Sequence, residues 1–395
     1  MGHAYESGHT SSMASEHPLA VSTDLRKAAK DQLPHMLDLL ERLVTCESPS
    51  SDFEANVRCL QLIKPEVEAA LGRSVELVEI EGRTHLVAAP VNGAQGAVLL
   101  VGHIDTVWPT GTTARWPFSL QGDTVTGPGC FDMKGGLTQM LAAIRIATCP
   151  LDRVAVIITS DEEVGSPTSR ALIEQLALQS DAALVLEPSQ AGAVKIARKG
   201  VSMYRIDVHG RASHAGLEPE KGVNALVALA QVVLQVPPMA RMDIGTSVTP
   251  TIAGAGTTTN TVPAEAYFTV DVRATSVAEQ LRVDAELRSI AAPLEGSSIA
   301  FEGGPNRPPL EAASSAELFT LSKEVAECIG LADLAGVAVG GGSDGNFTAG
   351  VGVQTLDGLG AVGANAHAEG EWLSVSGMVE RAALVAGLIE SLVSR

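Results

Sequence analysis

The sequence predicts an α/β protein, with a mostly parallel sheet flanked by helices and interrupted by a smaller ferredoxin-like α+β unit. Three observations carry this expectation. Short runs of Val, Leu, Ile and Ala, such as Val98-Leu99-Leu100-Val101, alternate with segments of helical composition, the order of parallel strands joined by right-handed crossovers. Aromatic residues are only 3% of the chain, so the core must be aliphatic, which suits strands covered on both faces. Beyond Gly200 the order changes to β-α-β-β-α-β, as in a split ferredoxin-like unit. At 395 residues the chain exceeds one ordinary core, which favours two units or one interrupted by another.

Structure is expected to begin near Ala20, with Leu33, Met36, Leu37, Leu40, Leu43 and Val44 giving a helix one apolar face. Ser51-Asp52-Phe53-Glu54 reads as a capping box for a second helix. Two β-like runs follow, Val75 to Ile80 and Leu86 to Ala89, before the run at Val98. Leu137 to Ala147 is helical, Val154 to Thr159 a strand, Thr168 to Leu178 helical, and Ala182 to Leu186 a strand. In the inserted unit, alternation around Met203 to Val208 marks a strand with one covered face. A helix at Val223 to Leu234, strands at Ser247 to Ile252 and Ala266 to Val272, a helix at Val277 to Ile290 and a strand at Ser298 to Phe301 complete it. The Gly303 to Pro309 segment is expected to return the chain to the main body. A helix from Ala312 through Val325 and a last helix from Val375 to Val393 close the chain.

A formal charge of -19 argues against nucleic acid and anionic membranes as partners, because both demand a cationic surface. No apolar run approaches bilayer-spanning length. Five scattered cysteines without C-x-x-C spacing indicate neither a disulfide framework nor a thiolate zinc site; reduced thiols in a cytoplasmic protein are the simplest reading. Residues 1–20, rich in Ser, His and Gly, read as a disordered extension.

The chemistry concentrates where apolar runs end. His103 and Asp105 follow the Val98 run, Glu162 and Glu163 the Val154 run, and Glu187 the Ala182 run, while a glycine-rich turn delivers Asp132. Open α/β sheets bind ligands at that edge. Singly, each residue has a plainer reading: a turn histidine, a solvated acidic loop, a strand-stopping Glu-Pro. Together, a histidine and several carboxylates at one sheet edge would repel one another unless a cation sat among them. Nitrogen and oxygen donors without thiolate suit zinc, with cobalt and manganese as alternatives.

The segments Gly102-His103-Ile104-Asp105-Thr106-Val107, Gly127-Pro128-Gly129 through Asp132-Met133-Lys134-Gly135-Gly136, and Thr159-Ser160-Asp161-Glu162-Glu163-Val164-Gly165 occur in one order. Arg198-Lys199-Gly200, Gly210-Arg211-Ala212-Ser213-His214-Ala215-Gly216, a Gly-Gly-Ser-Asp-Gly loop and Ala366-His367-Ala368 follow. In these motifs, from about Leu33 to its end, the chain resembles the dinuclear zinc peptidase and deacylase family that includes glutamate carboxypeptidase, aminoacylase, acetylornithine deacetylase and succinyl-diaminopimelate desuccinylase. The Val107-Trp108-Pro109, Leu186-Glu187-Pro188-Ser189 and Asp357-Gly358-Leu359-Gly360 segments resemble the glutamate carboxypeptidase-like branch.

The resemblance implies a zinc-exopeptidase-like catalytic domain in two parts, 21–197 and 307–395, separated by a dimerisation or lid domain at 198–306. It implies two divalent metal ions, with Asp132 bridging, His103 and Glu187 completing one site, and Glu163 and His367 the other. Glu162 would be the general base and Asp105 the partner that orients the His103 ring. It implies further that His214 stabilises the oxyanion in the partner subunit of a homodimer, and that Arg273 and Asn260 bind substrate. The loop at Gly342 and Ser343 is read as lending backbone N–H groups to a substrate carboxylate. The implied activity is hydrolysis of an amide bond to a C-terminal amino acid with a free carboxylate, glutamate being a candidate. An N-acyl-amino-acid deacylase on the same scaffold is the first alternative, and a metal-free binding or assembly module the second.

Overall fold

The computed structural model describes residues 21, 24–331 and 333–395, so the extension expected at 1–20 lies outside the described residues. In chain order the main elements are helices α1 (Leu25–Thr45) and α2 (Phe53–Leu71), strands β1 (Glu76–Ile80), β2 (Arg83–Ala88) and β3 (Val98–His103), helix α3 (Gly135–Ile146), strand β4 (Val154–Thr159), helix α4 (Arg170–Leu178) and strand β5 (Ala182–Val185). The insert contributes β6 (Gly200–His209), α5 (Ala225–Val233), β7 (Ser247–Ala255), β8 (Glu265–Ala274), α6 (Val277–Arg288) and β9 (Ser298–Arg307). Helices α7 (Ala316–Cys328) and α8 (Gly345–Gly350), strand β10 (Gln354–Leu356) and helix α9 (Val375–Val393) follow.

Six strands form the main sheet in the order β1-β2-β4-β3-β5-β10. Strand β3 runs parallel to β4, from Val98 opposite Val154 to His103 opposite Thr159, and parallel to β5, which is parallel to β10. The β1–β2 edge is antiparallel, because Glu81 and Gly82 both take positive φ (51° and 80°) and close a two-residue hairpin turn that matches strand twist. The sheet is covered on both faces. Val98 and Leu100 pack with the α1, α3 and α9 layer, while Leu99 and Val101 pack with Ile173, Leu176 and Phe347 on the other side. Period-2 alternation of apolar residues on both faces explains why these strands read as unbroken aliphatic runs.

In the insert, four antiparallel strands in the order β7-β8-β6-β9 carry α5 and α6 on one face, around Ile206, Val208, Phe268, Val270 and Val283. The ferredoxin-like expectation is met. Two details differ. Asp52, rather than Ser51, caps α2, its Oδ1 accepting from the Ala55 N–H at 2.9 Å, so a carboxylate one residue on takes the place of the serine hydroxyl. Strand β9 runs on through the Gly303 to Arg307 stretch expected to be a return loop, because Gly303 (φ 82°) tolerates a close approach, a Cβ there falling 2.2 Å from the Met203 carbonyl oxygen. Strand β10 was not anticipated, being three residues long.

The sheet's carboxyl edge is held by backbone contact that admits no side chain. A Cβ on Gly136, in the first turn of α3, would sit 2.1 Å from the Leu186 carbonyl oxygen, just before Glu187, whereas one on Gly340 would meet nothing within 4 Å. Gly136→Ala is therefore expected to destabilise the fold by about 1–3 kcal/mol and Gly340→Ala to leave it unchanged, as measured by urea denaturation of both variants beside the parent.

Candidate metal centre

His103 is the last residue of β3, Glu162 and Glu163 open a short helical turn after β4, and Glu187 follows β5 by two residues. Three adjacent parallel strands thus end at one place, which is what brings residues 84 positions apart within reach of one another. Asp132 arrives from the glycine loop, where Gly127 and Gly129 take positive φ (150° and 72°). Buried Glu371 pins this loop, accepting from the backbone N–H groups of Gly129, Phe131 and Asp132 at 3.0, 2.8 and 2.9 Å and from Trp108 Nε1 at 2.9 Å. Buried Lys134 anchors the other side by donating to the carbonyls of Leu43 and Cys46.

The geometry centres on the Asp132 carboxylate. Its Oδ1 lies 3.3 Å from His103 Nε2 and its Oδ2 3.4 Å from His367 Nε2, so its two oxygens face two different histidines. Glu187 Oε1 lies 3.5 Å from His103 Nε2, and the Glu163 carboxylate 3.1 Å from His367 Nε2. Two groupings follow within this cluster: donor atoms of His103, Asp132 and Glu163, and donor atoms of His103, Glu162 and Glu187, lie mutually within 4.8 Å. His103 Nε2 and Asp132 Oδ1 are buried without a hydrogen-bond partner. Burial of unpaired polar atoms is costly, and an imidazole nitrogen and a carboxylate oxygen left facing one another are the donor set a divalent cation takes.

The surroundings impose the same demand for positive charge. Burial disfavours the charged His103 ring, but the carboxylates of Asp105, Asp132 and Glu187 around it outweigh burial and hold the ring well above its ordinary pKa. Hydrogen bonds that its ring donates to Asp132 and Glu163 push His367 up to about 10. Burial pushes Glu162 up to about 8 and Glu163 up to about 7. Four acids crowded out of water, with Glu162 and Glu163 pushed toward the neutral form, mark a site whose charge balances when a cation is present.

Asp105 does more than was expected of it. The His103 Nδ1 meets the Asp105 backbone carbonyl at 2.9 Å, with the carboxylate Oδ1 at 3.5 Å, while that carboxylate accepts the N–H groups of Glu162 and Glu163 and the Ser50 hydroxyl. It therefore fixes the Glu162–Glu163 turn as well as the ring. Of the other expected residues, Ser343 has its N–H on Asn346 Oδ1 at 2.8 Å and its hydroxyl on Asp357 at 2.5 Å. The Gly342 carbonyl accepts from Arg198. His214 is exposed, its Nδ1 accepting from Gly216 and Leu217, and no hydrogen bond joins it to the cluster. Asn260 is exposed beside it, its carbonyl accepting from Ala215, and Arg273, at the end of β8, is paired with Asp271 on its own strand.

Three residues that sequence reasoning missed support the cluster. Arg307 binds Glu162, Arg198 binds Glu187 and Asp357, and Glu371 holds the Asp132 loop. Arg198 stood in a quoted motif, but without a role. Nothing local marks Glu371 or Arg307, because their partners lie more than 140 positions away.

An α/β sheet whose carboxyl edge gathers two histidines and three acids around the Asp132 carboxylate, in a chain with a ferredoxin-like insert, has the character of a metallohydrolase. A family model for peptidase family M20/M25/M40 matches residues 99–391, and the chain belongs to that family. It is 30% identical to carboxypeptidase G2 of Pseudomonas sp. (strain RS-16) over 385 residues, which covers 93% of this chain and 92% of that protein. Its fold is similar to that of aminopeptidase PepT from Bacillus cereus (TM-score 0.74, 22% identity, 91% of this chain and 98% of that one). It is also similar to that of the Bacillus subtilis YXEP protein, a dinuclear metal-binding peptidase of the M20 family (TM-score 0.61, 14% identity, 92% of this chain and 99% of that one). The chain is thus a hydrolase of the metallopeptidase class.

Because Glu371 satisfies four donors at once, Glu371→Ala is expected to cost at least about 3 kcal/mol of stability, each buried donor left unsatisfied costing about 1–3 kcal/mol. It should also weaken metal binding; thermal denaturation and metal content after gel filtration read the two effects separately.

Proposed function

We propose that this protein is a two-metal carboxypeptidase or amidase, which cleaves an amide bond to a C-terminal amino acid carrying a free carboxylate. The observation that carries the reading is Asp132, whose two carboxylate oxygens face His103 and His367 separately, with its Oδ1 and the opposing His103 Nε2 buried without hydrogen-bond partners. Asp132 would bridge two ions, with His103 and Glu187 holding one and Glu163 and His367 the other. Zinc suits these nitrogen and oxygen donors best. When bound, the pair supplies Lewis acidity to the amide carbonyl and lowers the pKa of water.

The chain's own residues do the rest. Glu162, buried and raised in pKa, takes a proton from the attacking water at its carboxylate and returns it to the leaving amine, a task favoured when the base's pKa lies near the working pH. The Asp105 backbone carbonyl and carboxylate fix the tautomer and plane of His103. Arg273 and Asn260 are assigned to the substrate carboxylate and carbonyl, and Arg273 would exchange its bond to Asp271 for the ligand's bidentate one. Exposed His214 is assigned to the neighbouring subunit's oxyanion in a homodimer. The likeness to carboxypeptidase G2 favours glutamate as the released amino acid. Among the described residues no helix is long and apolar enough to cross a membrane, and all five cysteines are free; we place the enzyme in a reducing, cytoplasmic setting, with the catalytic parts at 21–197 and 307–395 and the lid at 198–306.

Glu162→Gln should keep its metal, measured by plasma emission, while turnover falls at least about 10²-fold; full activity in this variant would remove Glu162 as the base. Mixing it with His214→Ala under subunit exchange should recover part of the activity, and no recovery would place His214 outside the partner's site. A panel of γ- and α-glutamyl peptides, folate-like conjugates and N-acetyl amino acids is expected to show fastest release of glutamate from the peptides and conjugates. Fastest turnover of N-acetyl amino acids would instead make the protein a deacylase.

A further inference from the structure

Two stretches of chain join the insert to the main body, and each carries a buried arginine directed at a carboxylate of the cluster. On the way in, Arg198 spends most of its fork on Asp357, at 2.7 and 2.9 Å, and reaches Glu187 Oε2 at 3.2 Å. On the way out, Arg307 uses its fork differently. Its Nη1 donates to Glu162 Oε1, and its Nη2 donates to the Glu162 carbonyl at 2.8 Å and to Ser166 Oγ at 3.0 Å. Asp344 stands 3.7 Å away, already engaged by the Thr159 and Ser166 hydroxyls. Glu162 is therefore gripped at both its carboxylate and its backbone by one side chain.

The grip is itself rigid. Arg307 is the last residue of β9, in register with Val201 of β6, and its side chain is buried. Gly342 packs so closely that a Cβ there would lie 3.1 Å from Arg307 Cδ, and the guanidinium stands 5.3 Å from the Phe347 ring centroid. A glutamate at the head of a three-residue turn has freely rotating side-chain bonds, and a guanidinium fork anchored in a sheet removes that freedom where an ammonium would not.

We propose that Arg307 is the positioning residue for Glu162: by holding Oε1 it presents Oε2 to the reacting water, and it makes the base's placement depend on the insert strand that carries the arginine. This rests on the reading of Glu162 as the base. It assigns Arg307 no contact with substrate. Loss of the fork should therefore lower turnover and not affinity, since a misplaced base costs rate after binding.

The test uses the full-length, metal-containing enzyme and the best substrate of the panel, with Arg307→Ala, Arg307→Lys and Glu162→Gln measured together. The expected result for Arg307→Ala is a fall in kcat of about 10-fold to 10²-fold, KM within about twofold of the parent, unchanged metal content, and partial recovery of kcat on adding guanidinium ion. Arg307→Lys should recover less than half of the lost rate, because it restores charge without the fork; it carries the comparison on its own where Arg307→Ala does not fold. A raised KM with intact kcat would make Arg307 a substrate ligand and overturn the proposal, as would parental kcat in both arginine variants. The two readings separate cleanly: an active Glu162→Gln enzyme removes the base, whereas an inactive Glu162→Gln beside a fully active Arg307→Ala removes only the positioning role.

Discussion

Everything at the sheet edge follows from the cost of holding Asp132, Glu162, Glu163 and Glu187 together out of water. Isolated, a buried carboxylate loses several kcal/mol of hydration, and its neighbours of like charge add to the penalty. The structure answers with two histidines inside the cluster and two buried arginines behind it, Arg198 on Glu187 and Arg307 on Glu162. Even so, His103 Nε2 and Asp132 Oδ1 are left facing one another without hydrogen bonds. A polypeptide that accepts such an arrangement is balanced by a cation, and the proposed metal pair is the balance that fits.

The rest of the fold serves that edge. Parallel strands β3, β4 and β5 end side by side, so the acids reach one place without strain in the strands that carry them. Helix α3 can approach because Gly136 has no side chain to meet the Leu186 carbonyl. Glu371 gathers three backbone N–H groups of the loop and an indole N–H, and so converts a glycine-rich turn into a fixed mount for Asp132. The insert is not merely attached, since both of its junctions end in arginines bonded to the cluster.

Much of this was legible beforehand. The aliphatic runs marked β3, β4 and β5, and the change to alternating residues after Gly200 marked the ferredoxin-like unit, because side-chain period records which faces are covered. His103, Asp132, Glu162, Glu163, Glu187 and His367 were all singled out, and the structure brings all of them together. His214, Arg273 and Asn260 were singled out too, and within one chain they stay outside the cluster. The Ser343 backbone N–H looks free in the sequence of its glycine loop, while in the structure it donates to Asn346.

What the sequence alone determined is local: which runs are strands, where they stop, and which acids and histidines stand at the stops. Those features rest on periodicity and chain neighbours, which a sequence records directly. Only the tertiary structure decided that Asp132 divides its two oxygens between His103 and His367, that Glu371 secures the loop beneath it, and that Arg307 closes on Glu162 from 145 residues away. Ion pairs and hydrogen bonds fall off over a few ångströms, so their partners are set by the packing that brings distant segments together and leave no spacing in the chain to read.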